Sequence, residues 1–156
     1  MKFSRLFTSF SNNIYKGIFF EGYKFLLNSG SIYKNFNGIY SFLPIGCILI
    51  NNLIKIIKKE MNNLQLNEVI LPLLQSDSLW RLSDRWEKYG NELLKIKDRN
   101  GRLFCLSPTN EEIITYLLKF SINKYNFYPY GFYQVNYKFR DEIRPRVGLL
   151  RLKEFL

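Results

Sequence analysis

Residues 133–142 sort by face when laid out as an extended strand. Tyr133, Val135, Tyr137 and Phe139 point one way, and Gln134, Asn136, Lys138, Arg140 and Glu142 point the other. Such a strand buries its aromatic side and offers a polar one; alternation by itself suits an ordinary half-solvated antiparallel strand as well as a binding surface. The next segment, Arg144-Pro145-Arg146-Val147-Gly148, puts two guanidinium groups on a Pro/Gly loop, where they can grip phosphate oxygens bidentately. A second candidate is Thr109-Asn110-Glu111-Glu112. Thr109 and Glu112 fit the S/T-x-x-E capping box, and Glu111 fits a first-turn acid favoured by the helix dipole, so capping accounts for this run without a ligand. Metal chemistry finds little support. Cys47 and Cys105 are far apart, no histidine is present, and both thiols read as small buried residues.

The elements that must carry these groups follow from periodicity. Tyr23 to Ser29 reads as a short helix ending at Gly30, and Asn37-Gly38 as a turn before the aromatic run Ile39 to Phe42. From Gly46 a long amphipathic helix is expected, with Leu49, Leu53, Ile56, Ile57 and Met61 at 3–4 spacing and Lys55, Lys58 and Lys59 on the wet side; Asn62-Asn63 ends it. Glu68 to Leu71 reads as a buried strand stopped by Pro72. Ser76 or Asp77 can cap a helix carrying Leu79, Trp80 and Leu82. Leu93 to Lys97 and Leu103 to Leu106 read as a hairpin turning at Asp98-Arg99-Asn100-Gly101. A helix over Ile113 to Leu118 and the strand at 133–142 complete an α+β pattern without alternating βαβ units. Leu149 to Leu156 reads as a strand in which the sequence stops, the mark of a fragment.

Composition limits the function classes. The 156 residues suit one domain or a large part of one, and 47% hydrophobic residues are enough for a core. A net charge of +10 favours a polyanionic partner such as nucleic acid, but the lysines are scattered and form no basic tail. The longest apolar stretch, Phe42 to Ile50, contains Pro44 and Gly46 and is far shorter than the ~20 residues of a membrane span. The first twenty residues are basic, contain serine and are free of acid, as in a transit peptide.

Taken together, the motifs resemble a known family. Phe139-Arg140-Asp141-Glu142, a loop, and Arg151-Leu152-Lys153-Glu154-Phe155 resemble motif 2 of class II aminoacyl-tRNA synthetases. Leu106-Ser107-Pro108-Thr109-Asn110-Glu111-Glu112 is similar to the proline-specific loop of the prolyl-tRNA synthetases. Gly38 to Gly46 resembles the segment before that family's first long helix, and Glu68-Val69-Ile70-Leu71-Pro72 resembles motif 1, its dimer-forming strand. Leu79-Trp80, Arg85 to Gly90 and Glu92-Leu93-Leu94 match the stretch that follows in bacterial-type members. Several spaced matches in order are far more specific than any one of them. They begin within the first few residues, which leaves no room for a transit peptide and implies a cytoplasmic location.

The resemblance implies a partial class II antiparallel sheet flanked by helices, with residues 1–156 forming the N-terminal part of the catalytic domain. It also implies roles. Arg140 would bind the ATP α-phosphate and the amino-acid carboxylate, stabilising charge as carboxylate attacks phosphorus. Glu142, Arg151 and Phe155 would serve the ATP side, with Phe155 stacking on adenine. Thr109 and Glu111 would satisfy the two N–H donors of proline's secondary ammonium. Proline, ATP and tRNA(Pro) are the implied partners, with Mg²⁺ accompanying ATP and a homodimer forming through motif 1. Ser107 and Asn110 depart from the usual glycine and histidine and are read as drift. Motif 3 and the anticodon-binding domain are absent from the sequence, so the chain by itself is expected to be inactive.

Overall fold

The computed structural model describes residues 7, 20–121, 129–146 and 148–156. Most of the first twenty residues, and Val147 of the Pro/Gly loop, lie outside the described residues. The chain divides into two compact units, one comprising the residues up to Glu60 with Arg144–Leu152, the other Met61–Ile143 with Lys153–Leu156.

In the first unit, helix α1 (Glu21–Asn28) turns Tyr23 and Leu27, four residues apart, into the core. Gly30, at φ 63°, lets the chain leave the helix in the left-handed region. Strands β1 (Ile32–Phe36) and β2 (Ile39–Phe42) form an antiparallel hairpin, with Ile32 opposite Phe42. Tyr23, Leu27 and Ile32 pack together beneath Leu26, Tyr40, Phe42 and Leu149. Helix α2 (Pro44–Asn63) begins with proline at its first position, where the missing N–H costs nothing. At Gly46 the helix lies directly on the Ser31 carbonyl, in space that any Cβ would need. The periodic apolar residues farther along do not enter a core: Leu49, Leu53 and Ile56 are at least half exposed.

In the second unit, β4 (Leu74–Ser76), β5 (Lys95–Lys97) and β6 (Leu103–Leu106) form an antiparallel sheet in the order β4-β6-β5. The β5–β6 turn falls on Asp98 to Gly101 as the turn residues predict. Asp98 Oδ1 accepts the N–H groups of Asn100 and Arg102 at 2.9 and 2.8 Å. Against this sheet lie α3 (Asp77–Leu82) and α4 (Arg85–Lys88), whose Trp80 and Trp86 join Leu93 and Cys105 in the core. Helix α5 (Glu111–Ser121) follows β6. Strand β3 (Asn67–Glu68) pairs in parallel with β7 (Phe132–Tyr133), and β8 (Lys138–Phe139) pairs antiparallel with β9 (Glu154–Phe155). The architecture is α+β, small and mostly antiparallel sheets flanked by helices. Among the described residues no helix is long and apolar enough to cross a membrane.

Several expectations need correction. The strand at 133–142 is broken after Tyr133 because side chains take the ladder's backbone groups. Asn136 Oδ1 accepts the Tyr137 N–H at 2.9 Å, and Lys138 Nζ donates to the Asn136 and Tyr137 carbonyls at 3.4 and 3.2 Å. The aromatic face is not the buried one either: Tyr137 is 39% exposed and Glu142 4%. Residues 68–71 are not a buried strand; Leu71 is buried but Ile70 is 88% exposed. Of Leu149 to Leu156, Glu154–Phe155 is strand. Helix α5 begins at Glu111, and its Ile114 N–H donates to the Asn110 carbonyl at 3.1 Å, so Asn110 and not Thr109 holds the cap position. Glu112 pairs with Arg85 instead of closing a capping box. Cys105 is buried as expected, but Cys47 is exposed. It sits one position past Gly46, about 100° around the helix from the packed face.

Candidate active site

The loop 107–110 is the piece that gathers candidate residues, and it is fixed by backbone bonds on two sides. The Ser107 N–H donates to the Leu73 carbonyl at 2.8 Å, and the Ser107 carbonyl accepts the Phe139 N–H at 3.0 Å. One residue along, the Pro108 carbonyl accepts a hydrogen bond from Arg140 Nη2 at 3.3 Å. The loop is thereby stitched between β4 and β8, with Ser107 and Pro108 fully buried. A proline and a buried serine suit this place, since neither asks the loop for much side-chain entropy.

Thr109 and Glu111 line one cavity of about 250 Å³. Val69, Leu71, Ile114 and Phe132 supply its apolar walls; Asn110, Gln134 and Lys138 add polar groups. An apolar cavity with a few convergent polar groups is the usual form of a small-molecule site. Glu111 and Lys138 bring opposite charges to it. Burial holds the Lys138 ammonium below its ordinary value of 10.5, and the charge of Glu111 pulls the other way.

Arg140 does not line this cavity, but reaches the carbonyl next to Thr109. Its guanidinium carbon lies 5.1 Å from the centre of the Phe155 ring, and the Arg140 backbone N–H donates to the Lys153 carbonyl at 2.9 Å. Lys153 in turn pairs with Asp141. Motif-like residues of β8 and β9 are thus brought together: Arg140 is layered on Phe155 across the strand pair. Glu142 is buried and is not part of the cavity wall. Arg151 is exposed and belongs to the first unit.

Among the described residues, four of the buried polar atoms without a hydrogen-bonding partner lie here, the others being Asn28 Oδ1 and Glu112 Oε2. Ser107 Oγ, Asn110 Nδ2, Gln134 Oε1 and Arg140 Nε are all in this state. Native proteins leave few such groups, and a cluster of them calls for a bound molecule or water. Sequence reasoning left out two of the polar residues that line the cavity. Gln134 and Lys138 stood on the polar face of the predicted strand, which was signal enough to include them. Asn110 was set aside as drift, yet its Oδ1 accepts from Gln75 Nε2 at 3.0 Å, and Gln75 Oε1 accepts from Trp80 Nε1 at 2.8 Å. That is a buried polar chain tying the loop to the core. Outside this region, Cys105 sits in the core with its thiol pushed up to about 12, by burial first and the charge of Glu112 second. It is not a nucleophile. Among the described residues no group of three His, Cys, Asp or Glu side chains gathers to hold a metal ion.

Comparison with known proteins agrees with the motif reading. No family model matches the chain. A proline--tRNA ligase of Maridesulfovibrio salexigens is 46% identical over 134 residues, covering 86% of this chain and 23% of the relative. A proline--tRNA ligase of Staphylococcus epidermidis is likewise 46% identical over 134 residues, 86% of this chain and 24% of the relative. The one from Fervidobacterium nodosum is 45% identical over 131 residues. Among solved structures, the RNA-binding domain of threonyl-tRNA synthetase from Cryptosporidium parvum superposes with a TM-score of 0.73 at 24% identity, covering 80% of this chain and 32% of that one. Prolyl-tRNA synthetase of the same organism, complexed with halofuginone and AMPPNP, gives a TM-score of 0.71 at 15% identity over 85% of this chain and 27% of that one. These two likenesses concern the fold. The chain spans about a quarter of the length of the curated relatives it matches, and over that stretch it is a homologue of proline--tRNA ligases.

Proposed function

We propose that the chain is the N-terminal part of the catalytic domain of a bacterial-type prolyl-tRNA synthetase, cytoplasmic, and that it carries the proline subsite and one wall of the ATP subsite. The observation that carries this reading is the cluster of unpartnered buried polar atoms beside a cavity that holds Thr109 and Glu111. In the proposed reaction a proline carboxylate oxygen attacks the α-phosphorus of ATP, pyrophosphate leaves, and the prolyl group then passes from the adenylate to the 3′ end of tRNA(Pro), releasing AMP. Glu111 and Thr109 take the two ammonium N–H donors, and the apolar walls receive the ring. Arg140 is the natural anion partner. Its guanidinium is held by the Pro108 carbonyl and the Phe155 face, so it is oriented before charge develops. Glu142, Arg151 and Phe155 would serve the nucleotide. Mg²⁺ would arrive with ATP as part of the substrate, and no step is assigned to protein metal ligands. Pairing with a second copy would run through the motif 1 segment, where Ile70 is 88% exposed.

The test is proline binding by the purified 156-residue chain, followed by calorimetry or chemical-shift titration, with alanine as the control. Selective binding lost in Glu111→Gln is expected; equal response to proline and alanine overturns the reading. Proline-dependent ATP–pyrophosphate exchange by this chain alone is expected to stay at background, because ATP has only one of its walls here.

A further inference from the structure

Glu111 is exposed, while the residues on either side of it are buried: Asn110 is 8% exposed and Glu112 9%. Each neighbour is gripped from behind. Asn110 is held by Gln75 at 3.0 Å. Glu112 pairs with Arg85, and its side chain is 5% exposed. Arg85 is itself clamped: its guanidinium lies 5.3 Å from the centre of the Trp80 ring and 5.2 Å from that of Tyr89. The two rings meet edge to face at 87°, and the guanidinium lies within cation–π range of both while its N–H groups reach a carboxylate. Trp80 serves both grips, since its indole N–H fixes Gln75 while its ring face receives Arg85.

We propose that Arg85 is a positioning residue for the amino-acid subsite, acting through Glu112 to hold the first turn of α5 and so the place of Glu111 in its cavity. This rests on the reading of Glu111 as the partner of the substrate amine. Glu111 itself needs room to meet a ligand, so the order it requires is supplied by its neighbours. Arg85, paired with Glu112 and wedged against the two rings, fixes the rotation of the turn about the helix axis, and the Gln75–Asn110 bond fixes where the turn starts. The clamp lies on the α3–α4 side and makes no contact that a ligand in the cavity would have to displace.

The test compares Arg85→Met, Arg85→Lys and Glu112→Gln in the 156-residue chain, by amide hydrogen exchange and by proline titration. In Arg85→Met, exchange at residues 114–116, whose N–H groups close the first turn of α5, should quicken at least tenfold, while the β4-β6-β5 sheet keeps its protection. Proline affinity should fall about tenfold, with Arg85→Lys and Glu112→Gln in between. Unchanged exchange at 114–116 in Arg85→Met overturns the proposal, as does equal acceleration across the whole second unit, which would mark Arg85 as merely structural. If the wild-type chain ignores proline, the functional reading fails, and the exchange arm still decides whether Arg85 holds the turn.

Discussion

Gln75 is 2% exposed and spends both ends of its amide inside the protein, donating to Asn110 Oδ1 at 3.0 Å and accepting from Trp80 Nε1 at 2.8 Å. Replacing it with leucine keeps much of its volume and removes both bonds. Two buried partners are then left without a match, an indole N–H and an amide oxygen. Each such orphan costs ~1–3 kcal/mol, so the two left by Gln75→Leu should lose about 2–6 kcal/mol, toward the low end if a water enters. The assay is urea unfolding followed by tryptophan fluorescence. The sequence has two tryptophans, both in the core of this unit and Trp80 bonded directly to Gln75, so the signal reports on this unit. The double variant Gln75→Leu/Asn110→Leu supplies a control. Removing the stranded oxygen together with its donor should return part of the loss, giving a coupling of about 1 kcal/mol or more. A Gln75→Leu chain within about 0.5 kcal/mol of wild type would refute the claim that this chain of bonds fastens the loop, since surface substitutions produce changes of that size.

Thiol labelling should split the cysteines: Cys47, exposed, reacts in the native state, whereas Cys105, buried with its thiol near 12, reacts on unfolding, and equal rates for both would contradict the structure. For Lys138 the folded value lies below 10.5, so between the two values the unfolded chain binds more protons and stability rises with pH. Wild type should therefore gain on Lys138→Met as pH climbs toward 10.5, and parallel profiles would show that burial at Lys138 has been misread. Phe155→Leu should weaken the chain by about 0.5–1 kcal/mol through the lost face beneath Arg140, more than the same change at the exposed Phe36; equal effects in denaturant melts would speak against the layering.

Much of the architecture was legible because the signals were local. Turn chemistry at Asn37-Gly38 and Asp98 to Gly101, the stop at Gly30 and the 3–4 spacing after Gly46 depend on a few neighbouring residues, and all four fall where the sequence puts them. The motif order from Gly38 to Phe155 also named the family of its relatives, since residue identities at fixed spacing need no coordinates. What tertiary structure decided was which groups were already spent. Period two predicted a full strand at 133–142, but Asn136 and Lys138 had taken the backbone bonds it needed. A capping box predicted Glu112 turned back on its own helix, but Arg85, remote in sequence, offered a full charge in a buried place. The same competition raised Asn110 from drift to a fastening. Residue types and spacing alone nominated Thr109, Glu111 and Arg140 as candidates but passed over Asn110, Gln134 and Lys138. Which of them stand free for a ligand was settled by long-range partners, because a buried polar group must be satisfied by whatever the fold brings beside it.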